Sequence, residues 1–498
     1  ACTRQPEERL VPYVNAPEDI IPGKPLYFAS ALANFGYGQG VVVESHDGRP
    51  TKIEGNEQHP ASLGATSVHA QASVLDLYDP DRLDVIRSGG RLRTWELFTA
   101  EMLSRIEQYR LNGGQGLHIL SGNVTSPTLS AQFAELRSRF PEARWHQWEP
   151  VNRDNSRRGS QIAFGEVLNS YHRLDRATKI LSLDADFLFW GPDALRNTKD
   201  FVKRRRVDES SSEMNRLYVV ESSPGVTGTM ADHRLAVRGS LIPEVARSLA
   251  TELGIDAGRG ASLSDPVQEW ISVVAQDLRA GREESVVVAG EAQPPEVHAL
   301  THLINQELGS LGNVVILTDA AEAEPVIQQE SIRELVDTMN AGEVETLILL
   351  GGNPAHDAPA DLGFAGALSQ VPLRVHLTSH QNETSRLCNW QIPESHPLES
   401  WSDLQAFDGT ASLVQPLIEP IYQSRNSHQL LALILEGSTD AGDYDLVRSY
   451  WRTRSTEGDF EKWWRRCLHD GLVPGTEADE ISRSVDRQSV LQSWSGRT

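Results

Sequence analysis

Short apolar runs alternate with longer amphipathic segments from about residue 92 to residue 400. The apolar runs suit buried strands: GLHILSGN, KILSLDADFLFWGP, LYVVESSPG, VVILTDA, TLILLGGNPA and LRVHLTSHQNETS. The segments between them read as helices: LSAQFAELRSRF, PVQEWISVVAQDLRA, HALTHLINQELGSL and SIRELVDTMNAG. This alternation predicts an α/β protein whose parallel sheets are covered by helices on both faces.

Two further segments refine this picture. The stretch GVVVESHDGRPTKIEGN predicts a hairpin, with strands at 41–45 and 51–54 around an Asp47-Gly48 turn, in a β-rich region before residue 90. The stretch TWELFTAEMLSRIEQYRL predicts an amphipathic helix. Its apolar face is expected to carry Leu97, Met102, Leu103, Ile106 and Tyr109. Beyond residue 400 the pattern loosens, and the last 30 residues read as a linker.

Ligands of parallel sheets sit beyond the carboxyl ends of the strands, so the loops after HILSG, LSLDAD, ILLGG and HLTSH are where a site is expected. The GGNP turn at 351–354 could cradle a phosphate or a pterin through its amides, although an ordinary tight turn is the favoured interpretation. Asp184 and Asp186 could bind a cation, but capping of the next segment is commoner for acids at a strand end.

Histidine and serine give weak catalytic signals. His298 with His302, and His376 with His380, are spaced four residues apart without an HExxH pattern, so surface imidazoles are the favoured interpretation. Ser121, Ser182 and Ser379 stand near predicted strand ends, and none lies in a GxSxG motif. A hydrolase of the nucleophile-elbow type is therefore excluded.

Charge narrows the possible partners. The formal net charge is −23, from 69 acidic against 46 basic residues. Nucleic-acid binding needs basic surface to neutralise phosphates, so no nucleic-acid partner is expected. No apolar run approaches the 18 or so residues of a membrane span.

The three cysteines, Cys2, Cys388 and Cys467, form no CxxC pair, so no local signature of a zinc site or an iron–sulfur cluster is present. The sequence begins without the basic leader and apolar core of a signal peptide. Cys2 is a candidate lipid-anchor position if a leader has been removed before it, and an incidental surface cysteine is the alternative.

Five motifs, in this order, resemble the large subunit of the molybdopterin oxidoreductase (dimethyl sulfoxide reductase) family. They are GRPTKIEGNEQHPASLG at 48–64, LYDPDRL at 77–83, LSGNVTSP at 120–127, GGNPAHDAP at 351–359 and NETS at 382–385. The resemblance covers roughly residues 40 to 400. It implies a molybdopterin oxidoreductase-like fold with two α/β domains.

The chain departs from the family's pattern at the cofactor positions. The resemblance puts Ser67 where a cluster or equivalent cysteine belongs and His69 where a basic relay residue belongs. The metal-ligand position falls near WHQWEPVNRDNS, where only Asp154 or Ser156 could serve. A serine hydroxyl is a poor iron ligand beside a thiolate. Ser67, His69, Asp154 and Gly352 are therefore interpreted as vestigial cofactor positions.

With these departures, the chain resembles one branch of the family in particular. This branch is the molybdopterin oxidoreductase-like part of the iron–sulfur subunit of alternative complex III, which is a bacterial quinol:electron-acceptor oxidoreductase. The segments CTRQPEERLVPYV, PGKPLYFASAL and QASVLDLYDPDRL carry this likeness. It implies a domain without a molybdenum cofactor, on the periplasmic face of the inner membrane. It also implies a ferredoxin-like domain with iron–sulfur clusters as partner. The C-terminal barrel domain of the wider family is not expected within these residues, which is a further departure that this branch shares.

The expected organisation is a β-rich region at 1–90, an outer α/β domain at 91–135 and 325–498, and an inserted α/β domain at 136–324. The favoured function is a cofactor-free scaffold that docks the iron–sulfur domain and other subunits of a respiratory complex. Such a chain is not expected to be an enzyme on its own. The alternatives are a molybdenum enzyme with Asp154 as metal ligand, and a small-molecule binding module that uses the vacated cleft.

Two structural expectations follow from the resemblance. Arg82 and Glu383 lie in retained motifs, so both are expected to be partly buried and held by hydrogen bonds or ion pairs. The cleft near Gly122, Asp154 and Gly352 is expected to be narrowed by bulky or acidic side chains, namely Trp145, Trp148, Glu149 and Asp186. Arg153, Arg157 and Arg158 are contrary evidence, because they could pair with phosphate.

Overall fold

The computed structural model describes residues 20–21, 23–207, 213–258 and 260–495. Cys2, the candidate lipid-anchor position, lies outside the described residues.

The strands of the described part of the chain are β1 Leu26–Asn34, β2 Tyr37–His46, β3 Arg49–Gly55, β4 Arg87–Ser88, β5 Arg91–Leu92, β6 Leu117–Ser121, β7 Arg144–Gln147, β8 Asn169–His172, β9 Lys179–Leu183, β10 Arg216–Glu221, β11 His233–Ala236, β12 Ser285–Ala289, β13 Val315–Thr318, β14 Thr346–Leu350, β15 Leu373–Thr378, β16 Trp390–Pro393, β17 Ser402–Gln405, β18 Ala411–Val414 and β19 Leu472–Val473.

The α-helices are α1 Val68–Leu77, α2 Trp95–Asn112, α3 Pro127–Arg139, α4 Asp154–Phe164, α5 Ala194–Lys203, α6 Val226–Thr229, α7 Ile242–Glu252, α8 Asp265–Gly281, α9 Pro295–Leu308, α10 Gln328–Asn340, α11 Pro354–Asp357, α12 Phe364–Leu368, α13 Glu383–Leu387, α14 Ser427–Glu436, α15 Asp443–Arg454, α16 Phe460–Asp470 and α17 Arg487–Ser495. Short 3₁₀ helices lie at Leu174–Arg176, Gly239–Leu241, Arg282–Glu284 and Ala360–Leu362.

The β-rich region is a three-stranded antiparallel sheet of order β1-β2-β3. The predicted hairpin is confirmed: β2 and β3 pair, with His46 opposite Arg49. Asp47 and Gly48 both have positive φ, 50° and 78°. Two central residues with positive φ are what a two-residue hairpin turn requires, which is why an Asp-Gly pair stands there.

A seven-stranded sheet of order β5-β4-β16-β15-β14-β6-β7 forms the larger α/β layer. Its strands from β16 to β7 are parallel, and the β4–β5 hairpin extends it antiparallel. In β14, Ile348 packs with α2, α3 and α14, whereas Leu347 and Leu349 pack with α10 and α12 on the other face. Burial on both faces explains why this strand is a continuous apolar run.

A second parallel sheet, of order β11-β10-β9-β12, has helices on both faces. Leu181 and Val287 pack with α7, α8 and α9, and Ile180 and Val286 pack toward α5. Two parallel sheets beside a β-rich N-terminal sheet are the predicted fold class, which is confirmed. The division into domains at 136 and 324 stays a prediction.

The segment VVILTDA differs from its prediction as a strand of a parallel sheet. It forms β13, which pairs antiparallel with β8 in a two-stranded sheet. The four residues of β13 are all buried. A fully buried short strand has the same apolar sequence in either kind of pairing, so the pattern alone could not separate the two.

The predicted helix at 94–111 is confirmed as α2, but one residue of its expected apolar face is wrong. Leu97 is 54% exposed, and the neighbouring Phe98 is buried in the core instead. Met102, Ile106 and Tyr109 lie in the core as expected, with Leu103 packed against its edge. The buried face is therefore rotated by one residue at the start of the helix.

The end of the chain is packed, in contrast to the linker that the sequence indicated. Helix α17 and the segment before it place Val485, Val490 and Trp494 in the core cluster formed by α4, α7, α8 and α9. The backbone N–H of Asp486 donates to Ala163 O at 2.7 Å, and that of Ile481 donates to Leu317 O at 2.7 Å. The few apolar residues of this tail are widely spaced in the sequence, but almost all of them are buried or partly buried.

Candidate functional site

The long opening motif, 48–64, is built around close backbone approaches. A Cβ at Gly55 would collide with the backbone oxygens of Gly64 and Ala65, and a Cβ at Gly40 would collide with the His59 ring. His59 is fully buried. Burial lowers the pKa of His59 to about 4. The glycines of this motif are therefore required by its own packing, whatever else it once bound.

Ser67 and His69, the two positions expected to be vestigial, lie at the start of α1. The Ser67 hydroxyl accepts from Ala70 N at 3.1 Å as the N-cap of α1, and it donates to Gln39 Oε1 at 3.2 Å. His69 is exposed on the helix. Serine is among the preferred N-cap residues, so Ser67 has a local structural role where the resemblance puts a cysteine.

Arg82, in the YDPDRL motif, is buried as predicted. Its guanidinium lies 2.6 Å from Glu399 Oε2, donates to Leu77 O at 2.9 Å and sits 5.3 Å from the centroid of the Tyr422 ring. Burial alone would raise the pKa of Glu399, but hydrogen bonds from Arg82 and from two backbone amides outweigh the effect of burial. The pKa of Glu399 therefore lies below its usual value. Sequence reasoning missed Glu399, which is 317 residues away from Arg82.

The GGNP turn and the NETS motif bind each other. Asn353 Nδ2 donates to Glu383 Oε2 at 2.7 Å, and Asn353 Oδ1 accepts from Thr384 N at 3.1 Å. Asn382 Nδ2 donates to Gly352 O at 3.2 Å. Glu383 is exposed, so its predicted burial is wrong, although its predicted hydrogen bonding is present. The favoured interpretation of GGNP as a turn agrees with these contacts.

Asp154 is the residue that the sequence singled out as a possible metal ligand. It is 3% exposed at the start of α4. Its Oδ1 accepts from Gln328 N and its Oδ2 accepts from Gln329 N, each at 2.9 Å. These are the first two amides of α10, which have no partner within their own helix. Both carboxylate oxygens of Asp154 therefore cap α10.

The three arginines that could pair with phosphate are paired with carboxylates of the chain. Arg153 lies 3.1 Å from Glu291, Arg157 lies 2.8 Å from Glu322, and Arg158 pairs with Glu330 at the surface.

Arg157 belongs to a buried network around Glu322. Tyr37 donates to Glu322 Oε1 at 2.5 Å, and Arg157 also donates to Val326 O at 2.7 Å and to Asn123 Oδ1 at 3.2 Å. Burial raises the pKa of Glu322, but Arg157 and Arg153 outweigh it and leave that pKa low. Sequence reasoning missed Tyr37 and Glu322, and no local signal marks either of them.

The predicted narrowing of the cleft is found at Gly122 and not at Gly352. A Cβ at Gly122 would lie 2.7 Å from Glu149 Oε1, and Glu149 accepts from Asn123 N at 3.1 Å. Burial raises the pKa of Glu149. Gly352, with φ of 76°, is exposed, and a Cβ there would meet nothing closer than 3.7 Å.

The two tryptophans expected in the cleft are held elsewhere. The Trp145 ring stacks on Phe133 with centroids 3.9 Å apart, and its Nε1 donates to Ser121 Oγ at 2.9 Å. The Trp148 indole donates to Asp357 at 2.8 Å.

Asp184 and Asp186 follow β9 and serve as hydrogen-bond acceptors, but their partners are distant in sequence and not in the next segment, which the favoured interpretation expected them to cap. Asp186 accepts from Thr227 N at 2.7 Å at the start of α6, and Asp184 accepts from Gln293 Nε2 at 3.0 Å. Across the described ranges, no group of three or more histidine, cysteine or acidic side chains is arranged to hold a metal ion.

The histidine pairs differ from their prediction as surface imidazoles. On α9, His298 is 6% exposed and His302 is half-buried. Burial lowers the pKa of both, to about 3 for His302. His376 is fully buried in β15, and His380 is half-buried. The i, i+4 spacing was read correctly as one helix face for the first pair, but that face points inward.

A cavity of about 480 Å³ lies beyond the carboxyl ends of β9 and β12, between α4 and α9. Its walls include Arg153 from α4, Asp184 after β9, Glu291 after β12, and His298 and His302 from α9. This position matches the rule for ligands of parallel sheets. The cavity lies beside the cleft predicted from the sequence, and Gly122, Asp154 and Gly352 are not among its walls.

Comparison with solved structures identifies the architecture. Acetylene hydratase from Pelobacter acetylenicus superposes with a TM-score of 0.58 at 13% sequence identity, covering 82% of this chain and 69% of that protein. The fold is molybdopterin oxidoreductase-like. Sequence identity this low carries the fold alone, and the activity of acetylene hydratase is not transferred to this chain.

A curated relative is the menaquinone reductase, molybdopterin-binding-like subunit, of Nitratidesulfovibrio vulgaris. It is 24% identical over 429 residues, which cover 77% of this chain and 60% of the relative. The chain thus matches three fifths of the length of that protein. No family model matches the chain. Among the described helices, none combines the length and apolar character needed to cross a bilayer.

Proposed function

We propose that this chain is a structural subunit of a quinone oxidoreductase complex, in which it keeps the molybdopterin oxidoreductase-like fold without a molybdenum cofactor. The relative of similar sequence is named as a subunit of a menaquinone reductase and as molybdopterin-binding-like, which supports a place in a quinone oxidoreductase complex and the retained fold. The chain's role is to present surfaces to partner subunits that carry the electron-transfer groups.

The observation that carries the proposal is the use of Asp154. Both Asp154 oxygens accept backbone N–H groups of α10, so turning this carboxylate toward a metal ion would break the cap of that helix. Arg157, whose nearest atom lies 3.9 Å away, adds a competing charge on the same side chain. Freeing Asp154 would leave the buried amide of Gln328 without an acceptor, at a cost of about 1–3 kcal/mol. The donor set at this position does not fit a molybdenum ion.

The surroundings do not fit a pterin dinucleotide either. Its two phosphates need unpaired cations, whereas Arg153, Arg157 and Arg158 are each paired with a carboxylate. The buried Glu149 carboxylate stands against Gly122, where a phosphate would be repelled.

The finer assignment rests on the motifs quoted above. They favour the iron–sulfur subunit of alternative complex III, with a ferredoxin-like iron–sulfur domain as neighbour, a periplasmic location and quinol as the electron donor. The relative's name describes quinone reduction, so the direction of electron flow separates the two kinds of complex.

The test is purification of the native complex through an affinity tag on this chain. We expect quinone-linked electron transfer, iron in the complex, and molybdenum below one tenth of an equivalent by elemental analysis. A known molybdenum enzyme treated in parallel is the control for metal loss. Stoichiometric molybdenum, or isolation of the chain without partner subunits, would contradict the proposal. Assays with quinol as donor and with quinone as acceptor determine the direction.

A further inference from the structure

The cavity beyond β9 and β12 contains buried polar atoms without partners. They are Glu291 Oε2, His298 Nε2, Thr301 Oγ1 and His302 Nδ1. His298 and Thr301 are each 6% exposed. Buried polar atoms are nearly always hydrogen-bonded, so four such atoms in the walls of one cavity indicate a ligand or ordered water there.

The unpartnered atoms include two acceptors. Glu291 Oε1 faces Arg153 at 3.1 Å, which leaves the negatively charged Oε2 without a donor. The backbone carbonyls of Gly290 and Gln293 lie near the His298 ring, which can donate to them in the tautomer with its proton on Nδ1. Its other nitrogen, Nε2, is then an acceptor. A complementary ligand therefore brings donors.

The walls of the cavity carry more acidic than basic side chains, which also favours a ligand with hydrogen-bond donors or positive charge. Five carboxylates line the cavity, Asp184, Asp186, Asp193, Glu291 and Glu322, against the two guanidinium groups of Arg153 and Arg157. Both arginines are ion-paired, with Glu291 and Glu322. The three aspartates accept hydrogen bonds from neutral groups, and His172 lies 3.8 Å from Asp193.

The mouth of the cavity is apolar. Val151 and Trp190 line it and are 57% and 42% exposed. The Trp190 ring is fixed by an edge contact with Phe35, with centroids 4.6 Å apart. An indole face at the entrance attracts cations and covers the carbon chain that carries them.

We propose that this cavity binds a small organic cation, a molecule with a guanidinium or ammonium group at the end of a short carbon chain. The cationic head lies against Glu291 and Asp184, with an N–H donated to His298 Nε2, and the chain leads out past Trp190. The volume of about 480 Å³ is within the range of small-molecule sites. This proposal does not depend on the proposed function, because the cavity walls do not include the vestigial positions Ser67, His69, Asp154 and Gly352.

The test uses three probes on the purified chain by isothermal titration calorimetry. Butylguanidine is the cation, butylurea is its neutral isostere, and guanosine diphosphate is an anionic nucleotide of a size that fits the cavity. We expect butylguanidine to bind with a dissociation constant of about 1 mM or tighter, an affinity within reach of a ligand this small. Butylurea is expected to bind at least tenfold more weakly, and guanosine diphosphate not at all.

Two charge-neutralising variants locate the site. Glu291→Gln keeps an acceptor for Arg153, and Asp184→Asn keeps an acceptor for Gln293 and tolerates the positive φ of 60° at this position. Each is expected to weaken butylguanidine binding at least tenfold. Glu343→Gln, an exposed acid before β14, is the matched control and should bind as the parent does. Circular dichroism checks that every variant is folded.

Three results would overturn the proposal. The first is the absence of butylguanidine binding at 10 mM, which would leave a water-filled cavity. The second is equal binding of butylguanidine and butylurea. The third is preferential binding of guanosine diphosphate. Undiminished butylguanidine binding by both folded variants would place the cation elsewhere and would also overturn it.

Discussion

At the scale of single residues, Arg82 makes the sharpest contribution to stability. Its guanidinium and the Glu399 carboxylate are 3% and 0% exposed, and they lie 2.6 Å apart. Arg82→Ala leaves a buried carboxylate without its charge partner. We expect the free energy of unfolding to fall by about 3 kcal/mol, measured by urea denaturation.

The control is Arg110→Ala, which removes a surface pair with Glu107 one helical turn away. Exposed pairs of this kind are worth about 0.5 kcal/mol or less. The double variant Arg82→Met with Glu399→Leu, which leaves no charge behind, should recover part of the loss. Equal stability of the parent and Arg82→Ala would show that the ion pair is not what the motif is kept for.

Asp154 leads to a second prediction at this scale. Asp154→Ala removes the acceptors of the first two amides of α10, so we expect a loss of about 1–2 kcal/mol. Hydrogen exchange should show faster exchange at Gln328 and Gln329 than in the parent. Asp361→Ala, at an exposed position, should change neither quantity. Unchanged exchange at the start of α10 would contradict the capping role.

The sequence located several of these residues but could not supply their partners. Arg82 and Asp154 were singled out because they lie in or near retained motifs. Glu399 and Glu322 lie 317 and 165 residues away from their arginines, and neither belongs to a motif. Glu383 was expected to be buried because its motif is retained. It is exposed, because its motif needs only one hydrogen bond from Asn353.

At the scale of elements, the alternation of apolar runs and amphipathic segments was sufficient for the parallel sheets. It was sufficient because βαβ units leave a pattern within some 30 residues of chain. Helix α17 had no such local signal. Its role depends on a groove formed by α4 and α9, which lie nearly 200 residues or more before it. A nine-residue helix with few apolar residues cannot be recognised without its receptor surface.

Helix α17 is therefore predicted to be essential for the second α/β layer. Trp494 is 2% exposed in the cluster with α7, α8 and α9, and the Arg247 guanidinium lies 4.7 Å from the centroid of its ring. We expect Trp494→Ala to cost about 3–5 kcal/mol, because it leaves a large cavity in a packed core. The measurement is the shift of the denaturation midpoint.

Arg487→Ala on the same helix removes only an exposed pair with Glu307 and is the matched control. It should cost about 0.5 kcal/mol or less. If Trp494→Ala were as stable as this control, the tail would be a surface attachment and not part of the core.

At the scale of the whole molecule, hydrogen bonds from distant parts of the chain hold the β-rich region in place. Ser30 accepts from Gln415 N at 3.0 Å, and Asn56 donates to Asp470 O at 2.8 Å, across 385 and 414 residues. Arg196, beside the second sheet, donates to Pro60 O at 2.7 Å. Through Asn56 and Pro60, the opening motif is thus a junction between distant parts of the chain.

The same tight interior predicts an acid-sensitive fold. Five buried histidines have lowered pKa values because burial disfavours the imidazolium, about 4 for His59, His118, His146 and His376 and about 3 for His428. In the unfolded chain each titrates near pH 6.5. Between pH 6.5 and 4 the unfolded chain therefore takes up protons that the folded chain excludes, and stability falls as the pH falls.

Carboxyl groups whose pKa is raised by burial oppose this trend, among them Glu149, Asp403 and Glu394. Burial raises the pKa of Glu394 to about 7, so the folded chain holds a proton there that the unfolded chain releases above about pH 4.5. Five imidazoles, each of which contributes up to about 1.4 kcal/mol per pH unit below pH 6.5, are expected to outweigh Glu394 in this range. The melting temperature is expected to be highest above pH 7 and to fall steeply from pH 6.5 to 4.5. His428→Gln, which removes one titrating group between Gln132 and Ser402, should reduce the slope even if it lowers stability at pH 7.5. A melting temperature that is flat or rises from pH 7.5 to 5 would show that the imidazoles are protonated within the fold.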